Sequence, residues 1–274
     1  MNLNKRTDRR IQMERQLEKL ALCATRIPAV EPAELTQEQR QFCKRSFQTP
    51  DPIIDLELCC NLSHKRALQT FLTTKADFAV IFEDDAIVAD DLPELINTID
   101  ASGMKCDLLR IETFLDRCHF GVTARAHFGR YAAHTMHGYT WGTAGYVINR
   151  KAAQIYLDTP KMLGIIADRA LWRRFPDATG IKTLQLIPAP VAQQDRFPFS
   201  QGNSDSDIEP HRKPVYKNIE KNEPVLAMLQ RFWRDEVTIA LPGLISRGLK
   251  KSTRGIVPFS GHYEPAKPAV TRAI

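Results

Sequence analysis

Residues 77–88 read DFAVIFEDDAIV. Phe78 to Phe82 is an unbroken apolar run of strand length, partly β-branched, which suits a strand covered on both faces. Three carboxylates follow at once: Glu83, Asp84 and Asp85. Adjacent negative charges repel, and a carboxylate beside a core loses hydration, so the chain must supply something that compensates. In extended geometry Glu83 and Asp85 point to one side and Asp84 to the other, unless the chain turns there.

The flanking sequence places this strand in an α/β frame. Upstream, CCNLSHKRALQTFL (59–72) predicts a helix from His64 to about Thr73, capped by Ser63, with Ala67, Leu68, Phe71 and Leu72 on its apolar face. Nearer the start, Arg9 to Leu22 has helical spacing, with Thr7 or Asp8 as its cap. RIPAV (26–30) is extended, and residues 34–54 read as a loop with a short helix. Downstream, Leu92 to Ile99 is helical. Asp107 to Ile111 (DLLRI) is a second buried strand, and it too runs into a carboxylate, Glu112. Residues 113–140 show weak periodicity. GTAGYVINRKAAQIYL (142–157) reads as loop, strand and helix, and residues 183–195 as a strand followed by a proline-punctuated turn. Helices alternating with short buried strands indicate a mixed sheet flanked by helices.

From Phe197 onward the character changes, and residues 198–224 are polar. Residues 205–274 read as a C-terminal extension: polar, then an amphipathic helix over Val225 to Val237, then a basic segment at 242–254 and a proline-rich, loosely ordered end. The 274 residues carry 43% hydrophobic and 26% charged side chains, ordinary for a globular protein. The net charge of +6 suits an anionic substrate or surface. The basic residues are dispersed and not interleaved with aromatics, which argues against nucleic acid as a partner. Six cysteines occur without any C-x-x-C pair, which argues against a zinc ribbon and for free thiols in a reducing compartment. No apolar run reaches the roughly 18–20 residues of a membrane span. A cytoplasmic protein is expected, with peripheral contact at an anionic membrane through the basic segment.

Two readings fit the acidic triplet. In one it opens a solvated loop. In the other, Glu83 and Asp85 form a hard oxygen site for Mg²⁺ or Mn²⁺ at a strand's carboxyl end, where open α/β sheets bind ligands. Asp168, in GIIADRALW, is an acid opening a helix after an apolar run: a cap or a general base. Arg110 and Glu112 lie two apart on one strand face, either as a buried pair or as polar groups facing a ligand. His134 and His137 have the spacing of metal ligands on a helix.

Six blocks occur in order: NLNKRTDRR (2–10), RIPAV (26–30), LSHKRAL (62–68), FAVIFEDDAIV (78–88), LLRIE (108–112) and GTAGYVINRKAA (142–153). Together they resemble the family 25 glycosyltransferases, over most of residues 1–200. The resemblance implies a GT-A-like, Rossmann-type domain over residues 1–204 and an inverting transfer of a hexose, typically galactose, from a UDP-sugar to a lipopolysaccharide or lipid-linked glycan acceptor. It implies that the EDD triplet holds the metal, with Glu83 and Asp85 as ligands and Asp84 beside the nucleotide sugar. Arg6, Arg9, His64, Arg110 and Glu112 become donor-binding candidates. Thr143, Tyr146, Gln194 and Asp195 become candidates for the sugar and acceptor pocket, and Asp168 the candidate base. Two departures stand out: the chain starts at Met1-Asn2-Leu3, which leaves the family's first strand nearly absent, and residues 35–58 differ from its usual short connection. The competing reading is a catalytically inactive descendant that binds glycan or protein.

Overall fold

The computed structural model describes residues 1–46, 53–137, 140–197, 206–222 and 244–262, with isolated positions between 224 and 233. Ten strands are present among them: β1 (Phe78–Phe82), β2 (Ala86–Val88), β3 (Leu108–Arg110), β4 (Glu112–Thr113), β5 (Arg117–Phe128), β6 (Tyr131–His137), β7 (Gly145–Asn149), β8 (Thr183–Ile187), β9 (Val191–Gln193) and β10 (Ser252–Ile256). The helices are α1 (Thr7–Lys19), α2 (Gln37–Ser46), α3 (Asp55–Thr73), α4 (Leu92–Ser102), α5 (Arg150–Leu157), the short turns α6 (Ala167–Arg169) and α7 (Phe175–Thr179), and α8 (Glu209–Asn222).

Seven strands form one mixed sheet in the order β1-β7-β3-β8-β6-β5-β10, in which only β3 and β8 run parallel. A smaller sheet, β2-β9-β4, lies at the ends of these strands. The short apolar runs are explained by cores on both faces of the large sheet. On β7, Tyr146 and Ile148 pack with Leu68, Phe71 and Tyr156 from α3 and α5, while Val147 packs with Leu92, Leu95 and Ile99 of α4. On β3, Leu108 and Leu109 divide in the same way. β1 also touches both cores, Ile81 on one side and Phe78, Val80 and Phe82 on the other. It is the outermost strand of the sheet, however, so most of its residues are only half-buried.

Several expectations are corrected. Ser63 does not cap a helix: α3 starts at Asp55, two turns earlier, because Leu58, Cys59 and Leu62 continue its apolar face against Val30 and Leu35. The Ser63 hydroxyl instead donates to Cys59 O (2.7 Å) and accepts from Val30 N (2.8 Å). α1 has Arg6 at its cap position with no side-chain cap, and Thr7 is already helical. The weakly periodic region is the long hairpin β5–β6, closed at Gly129 in a left-handed conformation (φ 57°). His134 and His137 therefore sit on a strand, three apart and on opposite faces, and His134 Nδ1 bonds Gly121 O at 2.7 Å.

The C-terminal part is tied into this fold. β10 pairs antiparallel with β5, and Val257 beyond it is buried, its carbonyl accepting from Thr113 Oγ1 at 2.6 Å. Ser260 Oγ donates to Asp91 at 3.0 Å. The helix expected over 225–237 lies outside the described residues, apart from isolated positions, as does everything after residue 262. No helix among the described residues is long and apolar enough to cross a membrane.

Candidate functional site

The acidic triplet does not continue as a strand. Glu83 N donates to Ala144 O (3.1 Å), which adds one rung to the β1–β7 ladder, and the chain then turns at Asp84 and Asp85. The turn is pinned by Ala86 N on Glu83 O (3.4 Å) and by Gln194 N on Asp85 O (3.0 Å). As a result, Glu83 and Asp85 both line one cavity of about 220 Å³. Asp84 is turned back, accepting from Arg9 Nη1 (3.1 Å) and Asn2 Nδ2 (2.8 Å).

These contacts supply part of the compensation the sequence demands. Arg9 Nη1 also lies 3.8 Å from Asp85 Oδ2. Burial lowers the pKa of Arg9, but the charges of Asp85 and Asp84 outweigh it and raise the value. Glu83 Oε1 is met by His64 Nε2 (3.2 Å) and by the Thr143 hydroxyl. Burial raises the pKa of Glu83, and these two partners bring it below the ordinary value. Asp85 is compensated least. Burial, followed by the charge of Glu83, pushes its pKa up to about 7, with Asp84 and Asp195 adding to the rise. Its Oδ1 is buried with no hydrogen-bond partner among the described residues.

The other walls come from distant parts of the chain. Asp168 enters on α6, its Oδ1 accepting from Arg169 N at 2.6 Å, beside Ile166 and Ala167. Gln194 and Asp195 follow β9, with Asp195 paired to Arg196 at 2.7 Å. Arg196 stacks over Phe114, 3.9 Å from its ring centre, and Trp141 stands beside them. Ser206, Ile208, Glu209 and Arg212, at the start of α8, complete the rim. Arg6 secures this rim from outside through Asp207 (2.8 Å).

The cavity therefore gathers Arg9, Glu83, Asp85, Thr143, Asp168, Gln194 and Asp195 from the residues named in the sequence. Arg6, Asp84, His64, Tyr146, Arg110 and Glu112 stand outside its lining. His64 is in the middle of α3 and not at a helix N-terminus; it is fully buried, with Nδ1 3.0 Å from Tyr146 Oη. Arg110 and Glu112 form a buried pair at 3.6 Å. Arg110 donates to Gln185 Oε1 (2.9 Å) and Trp141 O and lies over the Trp172 ring, so it braces the cavity from behind. Glu112 accepts from Ala144 N (2.9 Å), while burial pushes its pKa up to about 8 despite Arg110. Sequence reasoning missed Glu57, Cys60, Trp141, Phe114, Arg196 and Arg212. Only Cys60 carried a local signal, its four-residue spacing from His64.

The donor set fits a hard divalent ion. Glu83 and Asp85 present carboxylate oxygens to one cavity, and such an ion would satisfy Asp85 Oδ1, which is buried with no hydrogen-bond partner among the described residues.

Comparison with known proteins gives a consistent result. The family model described as glycosyltransferase family 25 (LPS biosynthesis protein) matches residues 1–171. The chain is 26% identical over 149 residues to the lacto-N-neotetraose biosynthesis glycosyltransferase LgtB of Neisseria meningitidis, covering 51% of this chain and 54% of that one. Its similarity to LgtE of the same organism is 23% over 171 residues, covering 58% and 61%. With the lipooligosaccharide biosynthesis protein lex-1 of Haemophilus influenzae it is 24% over 182 residues, covering 63% and 60%. The matches thus span about half to three-fifths of the length of these curated relatives.

Proposed function

The chain belongs to glycosyltransferase family 25, and on that premise we propose that it transfers a hexose, galactose, from a UDP-sugar to a lipopolysaccharide or lipid-linked glycan acceptor with inversion. The observation that carries this reading is the convergence of Glu83 and Asp85 on one cavity that Asp168 also lines. We read the mixed sheet as GT-A-like, with the donor lying across the end of β1.

In this reading Glu83 and Asp85 hold Mn²⁺ or Mg²⁺. When bound, the ion supplies positive charge to the departing diphosphate. Arg9, Arg196 and Arg212 line the same cavity and add cationic surface for an anionic donor. Trp141 and Phe114 give an apolar wall for a sugar face, and Gln194 and Asp195 offer polar groups to its hydroxyls. The acceptor hydroxyl attacks the anomeric carbon as the bond to the diphosphate breaks, and Asp168 takes the hydroxyl proton. Thr143 fixes the Glu83 carboxylate; His64, Tyr146, Arg110 and Glu112 hold the wall behind it.

A cytoplasmic site at the inner face of the membrane fits the C-terminal surface. Leu244, Ile245 and Leu249 are exposed in a stretch that also carries Arg247, Lys250, Lys251 and Arg254. Sedimentation with anionic vesicles, lost at high salt, tests that contact.

The test of the activity is UDP release from a panel of UDP-sugars with Mn²⁺, with and without chelator. Turnover of one donor, abolished by chelator and by Asp85→Ala, is expected. Undiminished turnover in Asp85→Ala would remove the site assignment. Absence of metal-dependent UDP binding by calorimetry would favour the inactive descendant.

A further inference from the structure

Cys60 and His64 lie one turn apart on α3, so both side chains leave the same helix face. Glu83 arrives beside them from the end of β1. One donor atom from each residue (the Cys60 sulfur, a His64 ring nitrogen and a Glu83 carboxylate oxygen) lies within 4.8 Å of the other two. Ligands around a tetrahedral Zn²⁺, with bonds of ~2.0–2.3 Å, stand roughly 3–4 Å apart, so only a small closure separates this arrangement from a metal-bound one. His64 Nε2 already faces Glu83 at 3.2 Å, and Tyr146 Oη sits 3.0 Å from Nδ1 on the other side of the ring. That second contact fixes the orientation of the imidazole, as outer partners do for metal-bound histidines. Cys60 and Glu83 both line the cavity, which gives an ion its way in. Cys59 cannot substitute for Cys60, because it is buried on another face of α3 among Val30, Leu35 and Leu62.

We propose that Cys60, His64 and Glu83 form a three-ligand site for a thiophilic divalent cation such as Zn²⁺, and that its occupation takes Glu83 away from Asp85. The sulfur distinguishes this site from the all-oxygen pair of Glu83 and Asp85, since soft ions prefer thiolate and hard ions carboxylate. Binding exchanges a proton for a metal–sulfur bond: the Cys60 thiol, which burial keeps protonated, releases its proton to solvent as the bond forms. Because Cys60 and Glu83 line the cavity, a fourth ligand would be supplied there by water or a donor oxygen. The binding step itself does not depend on the activity proposed above, and its test uses no sugar donor.

The experiment titrates the metal-free chain with Co²⁺ and follows its absorbance. One equivalent should produce a sulfur-to-cobalt charge-transfer band in the near ultraviolet together with tetrahedral bands in the visible. One equivalent of Zn²⁺ should erase both. Cys60→Ser, which keeps the volume of the side chain, and Cys60→Ala should both lose the ultraviolet band and bind Co²⁺ at least roughly tenfold more weakly. Survival of the band in either variant would assign it to another thiol and overturn the proposal. Visible bands without the ultraviolet one in the unaltered chain would overturn it too, as would failure to take up one equivalent of Co²⁺.

Discussion

The Arg9 guanidinium lies 3.1 Å from the Asp84 carboxylate, and the two side chains are only 10% and 11% exposed. This is a nearly buried ion pair joining the first turn of α1 to the turn after β1. Arg9→Met leaves Asp84 the Asn2 amide and the Met1 ammonium nearby, and removes the guanidinium 3.8 Å from Asp85. Breaking one side of a buried pair costs about 3–5 kcal/mol. Urea unfolding at neutral pH should show a loss of that order, and Asp84→Asn in the Arg9→Met background should recover part of it. A loss within about 1 kcal/mol would mean the pair behaves like a surface one.

Asp85 gives a test of the ion that needs no turnover. Among the described residues its buried Oδ1 has no hydrogen-bond partner, and the carboxylates of Glu83, Asp84 and Asp195 lie near it, so a bound dication should stabilise the folded chain. Millimolar Mn²⁺ should raise the melting temperature of the wild type and leave that of Asp85→Asn unchanged. Asp85→Asn without metal should melt no lower than the wild type, because it removes a repelling charge. An equal Mn²⁺ shift in both proteins would place the ion elsewhere.

Glu112 carries a pH signature. Its carboxyl is raised from the ordinary 4.5 to about 8 by burial. A raised acid favours folding fully at low pH, where both states are protonated. That contribution drains away as pH climbs from about 4.5 to 8, because the unfolded chain ionises first, and it is constant above 8. Glu112→Gln keeps an oxygen for Ala144 N and has no proton to lose. The stability of the wild type relative to this variant should therefore fall between pH 5 and 8, by at most about 1.4 kcal/mol per unit, and then level off. A difference independent of pH would show Glu112 ionised throughout by Arg110.

The part of the site nearest β1 was legible because it rests on local rules. An apolar run entering an acid triplet marks a strand end, and Glu83 and Asp85 do share a cavity, although by a turn and not by continued pleating. Strand alternation put Arg110 and Glu112 on one face, but not which face is wet. Trp141 and Trp172, 31 and 62 positions further on, close over Arg110. The first two turns of α3 carry little sequence signal, because Cys59 and Cys60 show no helical pattern and Ser63 looks like a cap even when it is buried; Glu57 and Cys60 lie in those turns. The β5–β6 hairpin escaped because its register shifts break the two-residue period, and β10 because an exposed, basic edge strand resembles a solvated tail.

GTAGY (142–146) holds two glycines, and each has a close neighbour at the position a Cβ would take. A Cβ on Gly142 would stand 2.2 Å from Glu112 Oε1 and 2.9 Å from the Phe114 ring, and its φ of 87° is one that L side chains rarely adopt. Its carbonyl accepts from Trp172 Nε1 at 2.6 Å, so the loop cannot easily shift away. A Cβ on Gly145 would meet Val191 at 2.8 Å. Gly180 is the natural control: its φ is 67°, but nothing lies within 4 Å of its Cβ position. Gly180→Ala should cost only the left-handed backbone, about 1–2 kcal/mol. Gly142→Ala adds displacement of the Glu112 carboxylate and the Phe114 ring, and so should cost clearly more. Because Phe114, Trp141 and Thr143 line the cavity beside it, UDP release should also fall in Gly142→Ala and hold in Gly180→Ala. Equal losses of stability in the two variants would mean that backbone conformation alone, and not the packing of Glu112 and Phe114 against the loop, selects glycine at position 142.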